Sequence, residues 1–391
     1  MSVYMWPPAV VPGPYTITTE EILAEVNGRH PGASWLKRAD GMAKNTGIGE
    51  RRWMQPLEAI TAPSRSGFPG PAASAAGGTG ETGETGKTAE AGPPVPQTVE
   101  ERTASVWGTV QDCAERAARQ ALETAGVTPD QVDYVVTSNS TTPALPGLDI
   151  ALFNRLGLRE DVLLLPFSQW ACIAGTRSLA TASKLLAADP GATVLIVIAE
   201  ALSTTYQPDD TGIDSLLMRL LFADTAVAAV VRGRPDQGAF LRLDAAWHRT
   251  VPGTADIHRL HTRADGVHYE MDRSGPKWVQ STLPPMWEWV RGRHTDPDWH
   301  PDLLVAHPGG TRVLELIQES VPSSWPDVPG PWPDHLLDHS WSSIVTGNRG
   351  GAAVFDVLDR ALSAGVPAGA RTVLYGAAPG LTATAMDGVW L

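Results

Sequence analysis

An α/β layered fold is what this sequence predicts. Short runs of β-branched and apolar residues alternate with segments of helical periodicity through most of the chain. The 391 residues are 42% hydrophobic, which supports a sizeable core and argues against global disorder. The length leaves room for two ordinary domains or one large duplicated α/β body.

The elements follow in order. Val106, Trp107, Val110, Cys113, Ala114, Ala117, Ala118 and Ala121 recur at helical spacing, so residues 99–125 form an amphipathic helix that Gly126 stops. VDYVVTS (132–138) reads as a buried strand, and VLLLP (162–166) is another short apolar run. A helix over 173–188 ends at Pro190-Gly191. TVLIVIAE (193–200) and TAVAAVVRG (225–233) are strands. The second half repeats the idea. It runs through a strand and turn over 302–310, a helix over 311–321, a helix over 350–365 and a strand over 371–380. The chain thus divides into two related halves, 1–235 and 236–391. Residues 63–97 stand apart, with 14 Gly or Pro in 35 positions. Too little apolar surface is available there to offset ordering entropy, so the segment reads as a flexible insertion in the first half. Its GETGETGKT mimics a phosphate-binding loop, but Glu81 stands where that pattern needs glycine and no strand precedes it.

Composition excludes several functions. Thirty basic side chains against 43 acidic ones leave a net charge of −13, which repels a nucleic-acid backbone overall. Two cysteines cannot build a disulfide scaffold or a four-cysteine zinc module. No apolar run approaches the roughly 20 residues of a membrane span, and the first residues lack the pattern of a signal peptide. A cytoplasmic protein, without membrane or nucleic-acid partners, is expected.

Three residues at strand–turn–helix junctions can carry chemistry. Cys172, in SQWACIAGT, precedes a helix whose N–H groups and dipole would lower its pKa and favour a nucleophilic thiolate. A buried inert cysteine is the alternative. His307, in VAHPGG, follows a strand, where open α/β sheets place function; capping a turn is its alternative. Asn348, in TGNRGGAAV, can offer its amide to a substrate oxygen or cap a helix. Taken together, cysteine, histidine and asparagine form a constellation. His335 and His339 are four residues apart, but no third metal ligand is evident and no metal site is expected.

Here the sequence resembles a known family. SQWACIAG, AEALSTTYQPDD and LFADTAVAAVV resemble the cysteine region of type III polyketide synthases, the chalcone synthase-like enzymes and their bacterial relatives. HPGGTRVLELI, GNRGGAAVFDVLDRAL and YGAAPGLTATAM resemble that family's histidine, asparagine and glycine-loop regions. PALPGLDIALFNRLGL and NTGIGERRWMQPLE look like its N-terminal blocks. The related ketoacyl synthase III enzymes share the three residues but place the histidine in a His-Gln-Ala-Asn context.

The resemblance implies a thiolase-like five-layer αβαβα fold, a homodimer, and CoA thioesters as substrates with no metal or redox cofactor. It implies that Cys172 takes an acyl starter as a thioester. Malonyl-CoA then loses carbon dioxide, His307 and Asn348 stabilise the enolate and the tetrahedral oxyanion, and His307 pairs with Cys172 to keep it ionised. The extended chain closes to a pyrone, resorcinol or phenol. Phe222 corresponds to the gate between the CoA tunnel and the cavity. Ser140, Thr205, Tyr206 and Tyr269 correspond to the cavity lining, with Leu145 reaching across the dimer. Lys44, Arg51 and Arg52 fall near the CoA-phosphate region, or are ordinary surface charges. There are departures from the family's pattern. Ala171 stands for the usual glycine before the nucleophile, with bulky Trp170 ahead of it. Gly350 and Gly351 replace small hydroxyl residues beside Arg349, and the glycine loop reads Gly376-Ala377-Ala378-Pro379-Gly380. Two alternatives follow: a single-condensation or acyl-transfer enzyme like ketoacyl synthase III, with Trp170 narrowing the cavity, or a non-catalytic homologue acting through a partner.

Overall fold

The structure, a computed structural model, describes residues 2–65, 96–272, 274–296, 298–325 and 335–391. Most of the insertion expected over 63–97 lies outside the described residues.

The apolar runs pair into one ten-stranded mixed sheet. On one side Leu163–Phe167, Tyr134–Ser138 and Thr193–Glu200 run parallel, and Thr225–Arg232 joins them antiparallel. On the other, Leu303–Ala306 and Arg371–Ala378 run parallel, and Thr382–Trp390 and Leu241–Thr250 continue antiparallel. The short strand Val3–Met5 joins the two sets, pairing with Thr225–Arg232 along one edge and with Leu241–Thr250 along the other. Thr193–Glu200 is buried at every residue, which explains its unbroken apolar run where a half-exposed strand would alternate.

Two helices, Ala174–Ala188 and Ala353–Ser363, pack on each other and on strands of both sets. Phe355, Val354 and Leu358 meet Leu179, Leu186 and the strand residues Ile196 and Leu374 in this central core. Val99–Thr124 and Leu148–Leu156 cover the outer face of the first set. Leu283–Gly292, Thr311–Ser324 and Asp338–Ile344 cover the outer face of the second. The layers therefore alternate helix, sheet, helix, sheet, helix, as expected.

Two elements differ in extent from expectation. The helix read over 350–365 begins at Ala353, because Gly350–Ala352 makes a tighter 3-10 turn first. A matching turn, Ala171–Ile173, opens the helix after Cys172. The sequence reading did not find the hairpin His258–Arg263/Gly266–Met271. Charged residues interrupt its apolar pattern on the outward side.

Candidate active site

The two 3-10 turns lie against each other at the inner ends of the central helices. Glycine is required on one of them. A Cβ on Gly351 would sit 2.6 Å from Ala174 Cβ and 2.7 Å from the Ala171 carbonyl oxygen, and Gly350 has φ +54°. This replaces the small hydroxyl residues expected there with backbone contact. Ala171 itself has φ +43°, a left-handed conformation that an alanine adopts under strain.

A cavity of about 420 Å³ opens beside these turns. Cys172, His307, Asn348, Phe222, Ser140, Thr205 and Tyr269 all line it, as do Ala377, Ala378 and Pro379 of the glycine loop. Its remaining walls are mostly apolar, with Leu202, Leu217, Leu221, Met271 and Val279 among them.

Asn348 is held by its backbone. Its N–H donates to the Leu221 carbonyl at 2.8 Å, and its own carbonyl accepts from Ala223 N–H at 2.9 Å. Its Oδ1 accepts from Gly350 N–H at 2.8 Å, which fixes the amide the right way round and turns Nδ2 toward the histidine loop, 3.3 Å from the Gly309 carbonyl. The capping role and the donor role thus coexist in one side chain. Phe222 sits between those two backbone bonds, and its carbonyl accepts from Trp53 Nε1 at 3.0 Å. His307 is 4% exposed, and neither ring nitrogen has a partner among the described residues. Burial lowers it to about 4, so the imidazole is neutral. It does not cap its turn through the ring.

Cys172 corrects the expectation of a resting thiolate. Its surface is partly open to the cavity, but the sulfur lies deep in the protein. Burial pushes its thiol up to about 12, and the nearby Glu200 carboxylate adds to the rise. His307, being neutral, supplies no charge to hold an anion. The resting pair is thiol and imidazole, and the helix N-terminus does not overcome the loss of water.

Glu200 is the group the sequence reading missed. It ends a fully buried strand, and its Oε2 accepts from Ser140 N–H (3.1 Å), Ser140 Oγ (2.8 Å) and Thr141 Oγ1 (3.2 Å). Its Oε1 has no partner among the described residues, and burial raises the carboxyl to about 7. The available signal was one acid closing an otherwise apolar strand.

The chain is 55% identical, over 100% of both chains, to the solved germicidin synthase of Streptomyces coelicolor, a type III polyketide synthase (TM-score 0.90). The chain belongs to the type III polyketide synthases. Residues 87–235 match the chalcone and stilbene synthase N-terminal domain. The 1,3,6,8-tetrahydroxynaphthalene synthase of Streptomyces coelicolor is 29% identical over 98% of this chain and 91% of its own length. Its solved structure superposes with a TM-score of 0.81. The phloroglucinol synthase of Pseudomonas fluorescens is 28% identical over 70% of this chain and 76% of its own. As a member of this family the chain is an acyltransferase. No helix among the described residues is long and apolar enough to cross a membrane.

Several expected residues stand outside the cavity of this type III synthase. Tyr206 is buried away from it, with its hydroxyl on Glu25 and its ring edge-on to Trp53. Trp170 stacks on Phe167 with centroids 3.6 Å apart and does not narrow the cavity. Arg51 is 1% exposed and donates to Thr19 Oγ1, so it offers no charge to a coenzyme at the surface. Arg52 donates to the Gly13 and Pro14 carbonyls and holds the N-terminal segment. Lys44 is exposed on the helix Ala39–Thr46, whose Met42, Asn45 and Thr46 reach the cavity. Leu145 is fully exposed. Arg349 turns away from the cavity and pairs with Asp356 at 3.2 Å, so its charge tethers the asparagine loop. Thr205 lines the cavity, but its hydroxyl donates to the Leu202 carbonyl, leaving no free donor toward a substrate.

Proposed function

We propose that the chain loads an acyl-CoA starter on Cys172 and extends it by decarboxylative condensation with malonyl-CoA. Ring closure then gives a pyrone, resorcinol or phenol. The observation that carries this reading is the meeting of Cys172, His307 and Asn348 in one cavity bounded by Phe222. The neutral thiol and neutral imidazole suit a proton transfer concerted with attack. His307 takes the sulfur's proton as the thioester carbonyl is engaged, and no isolated buried charge forms beforehand. His307 and the Asn348 amide then act as donors to the enolate and to the tetrahedral oxyanion. Each condensation releases carbon dioxide and frees the Cys172 thiol, leaving the lengthened chain on CoA; transfer of that chain back to Cys172 releases CoA, and no step needs a metal or redox group.

The apolar walls favour an aliphatic starter, because a charged or strongly polar one would lose its hydration without recompense. A contact with the phosphates of CoA is supported by exposed Lys44, on the helix that reaches the cavity, and by Arg312 on the lining, which would exchange its pairs with Glu315 and Glu319 for a phosphate. A homodimer is supported by the edge strand Leu163–Phe167, which leaves Leu163 exposed, and by exposed Ile150 on the helix Leu148–Leu156 that packs on that strand. Leu145 belongs to the same half.

The test is incubation with malonyl-CoA and a panel of aliphatic and aromatic acyl-CoA starters beside Cys172→Ala, with products identified by mass spectrometry. Products longer than the starter by several acetate units, absent from the variant, are expected. Extension that survives Cys172→Ala, or none from any starter in the wild type, overturns the reading.

A further inference from the structure

The hairpin His258–Arg263/Gly266–Met271 forms one wall of the cavity. Strand alternation sorts its residues. His258, Leu260, Val267, Tyr269 and Met271 line the cavity, while Arg259, His261, Arg263 and Glu270 form ion pairs on the other side. The inward face is thus apolar except for an imidazole and a phenol. These two are joined: Tyr269 Oη lies 3.2 Å from His258 Nδ1.

The pose of the imidazole is built in. A Cβ on Gly275 would sit 2.5 Å from His258 Nε2 and 2.8 Å from Cε1, so the ring occupies space that only glycine leaves. Burial lowers His258, against the opposing field of Asp272, so its ring is neutral and able to accept a proton. Burial raises the Tyr269 phenol, so it stays protonated and able to donate, and Tyr269 and Cys172 line the same cavity. Its ring meets Phe222 edge-on at 6.1 Å. Tyr375, another phenol on the lining, is already engaged with Thr282.

We propose that Tyr269 and His258 form a proton relay that closes the ring of a chain held on Cys172 and releases it as a lactone. This rests on the reading that Cys172 carries the growing chain. The enol oxygen on the fifth carbon of a three-unit chain attacks the thioester carbonyl. The C–O bond forms and the C–S bond breaks. The enol proton passes to Tyr269 Oη while the phenol proton passes to His258 Nδ1. The same path returns a proton to the departing sulfur, which ends as the thiol. Nothing is oxidised or reduced. Tyr269 is the group that touches the chain, and His258 acts through it.

The relay is tested with hexanoyl-CoA and malonyl-CoA as probes. Tyr269→Phe keeps the ring and removes the hydroxyl, and His258→Asn keeps an acceptor that cannot take a proton. In both, the ratio of ring-closed product to chain retained on Cys172, read by intact-protein mass spectrometry, is expected to fall at least about tenfold. Added imidazole is expected to restore that ratio in His258→Gly, which a merely structural role would not allow. Variants that make fewer products but keep the wild-type ratio overturn the relay. A wild-type protein that never carries an extended chain on Cys172 overturns the underlying reading and the relay with it.

Discussion

The two 3-10 turns that meet at the cavity solve one geometric problem in different ways. Gly350–Ala352 reaches the left-handed region with glycine, at no steric cost, and Gly351 lets the partner turn come within contact distance. Ala171–Ile173 reaches the same region with alanine and carries the strain directly beside Cys172. The asparagine turn is also anchored by four hydrogen bonds through Asn348 backbone and side chain. The cysteine turn leans instead on that neighbour and on the strand Arg371–Ala378, where Gly376 lies against the Cys172 carbonyl and Ile173. The donor is fixed by its own loop, and the nucleophile is fixed by what surrounds it.

The contrast can be broken in order of effect. Asn348→Ala removes both the donor and the anchor of its turn, and kcat for condensation is expected to drop about 10²–10³-fold in steady-state assays. If the amide serves only as a cap, Asn348→Asp should hold the turn and keep near-wild-type kcat. Next is Glu200. Its carboxyl is raised from 4.5 to about 7, so the folded protein keeps a proton there that the unfolded chain releases. Stability is therefore lost as pH rises through that window, by about 3 kcal/mol at 1.36 kcal/mol per pKa unit. Glu200→Gln should unfold at higher denaturant than wild type near pH 7.5 and lose that advantage near pH 4.5. Equal midpoints at both pH values would remove Glu200 from the account.

Smaller effects separate the turns themselves. Gly351→Ala forces a Cβ into Ala174 and the Ala171 carbonyl, and is expected to cost about 1–3 kcal/mol in chemical denaturation. Ala171→Gly relieves the left-handed alanine and should gain up to about 1 kcal/mol. If Ala171→Gly instead destabilises, the conformation at 171 is not a source of strain.

Much of this architecture was legible in the chain. Thr193–Glu200 and the helix Val99–Thr124 declare themselves because one long period dominates each segment. The three residues on the cavity lining were legible because each sits at a junction between a strand and a helix. What escaped depends on the surroundings of a residue in space. A helix N-terminus lowers a thiol's pKa in water, but the same position under protein raises it, as for Cys172. Arg51 and Tyr206 lie in matched blocks, yet their side chains turn into Thr19 and Glu25, and no local pattern reports a rotamer. The hairpin carrying His258 was invisible because its two faces answer to different neighbours, ion pairs outside and a cavity inside.

Val3–Met5 leaves one more consequence. It is the stitch between the two sets of strands, yet its partners begin at Thr225 and end at Thr250. During synthesis it emerges well before those partners and must wait, unpaired, until they follow. A short apolar segment left waiting is a sticky edge on the growing chain. Growth of the sheet from either side cannot cross the seam before that moment, so the arrival of those later partners sets the time at which the two sets of strands become one sheet.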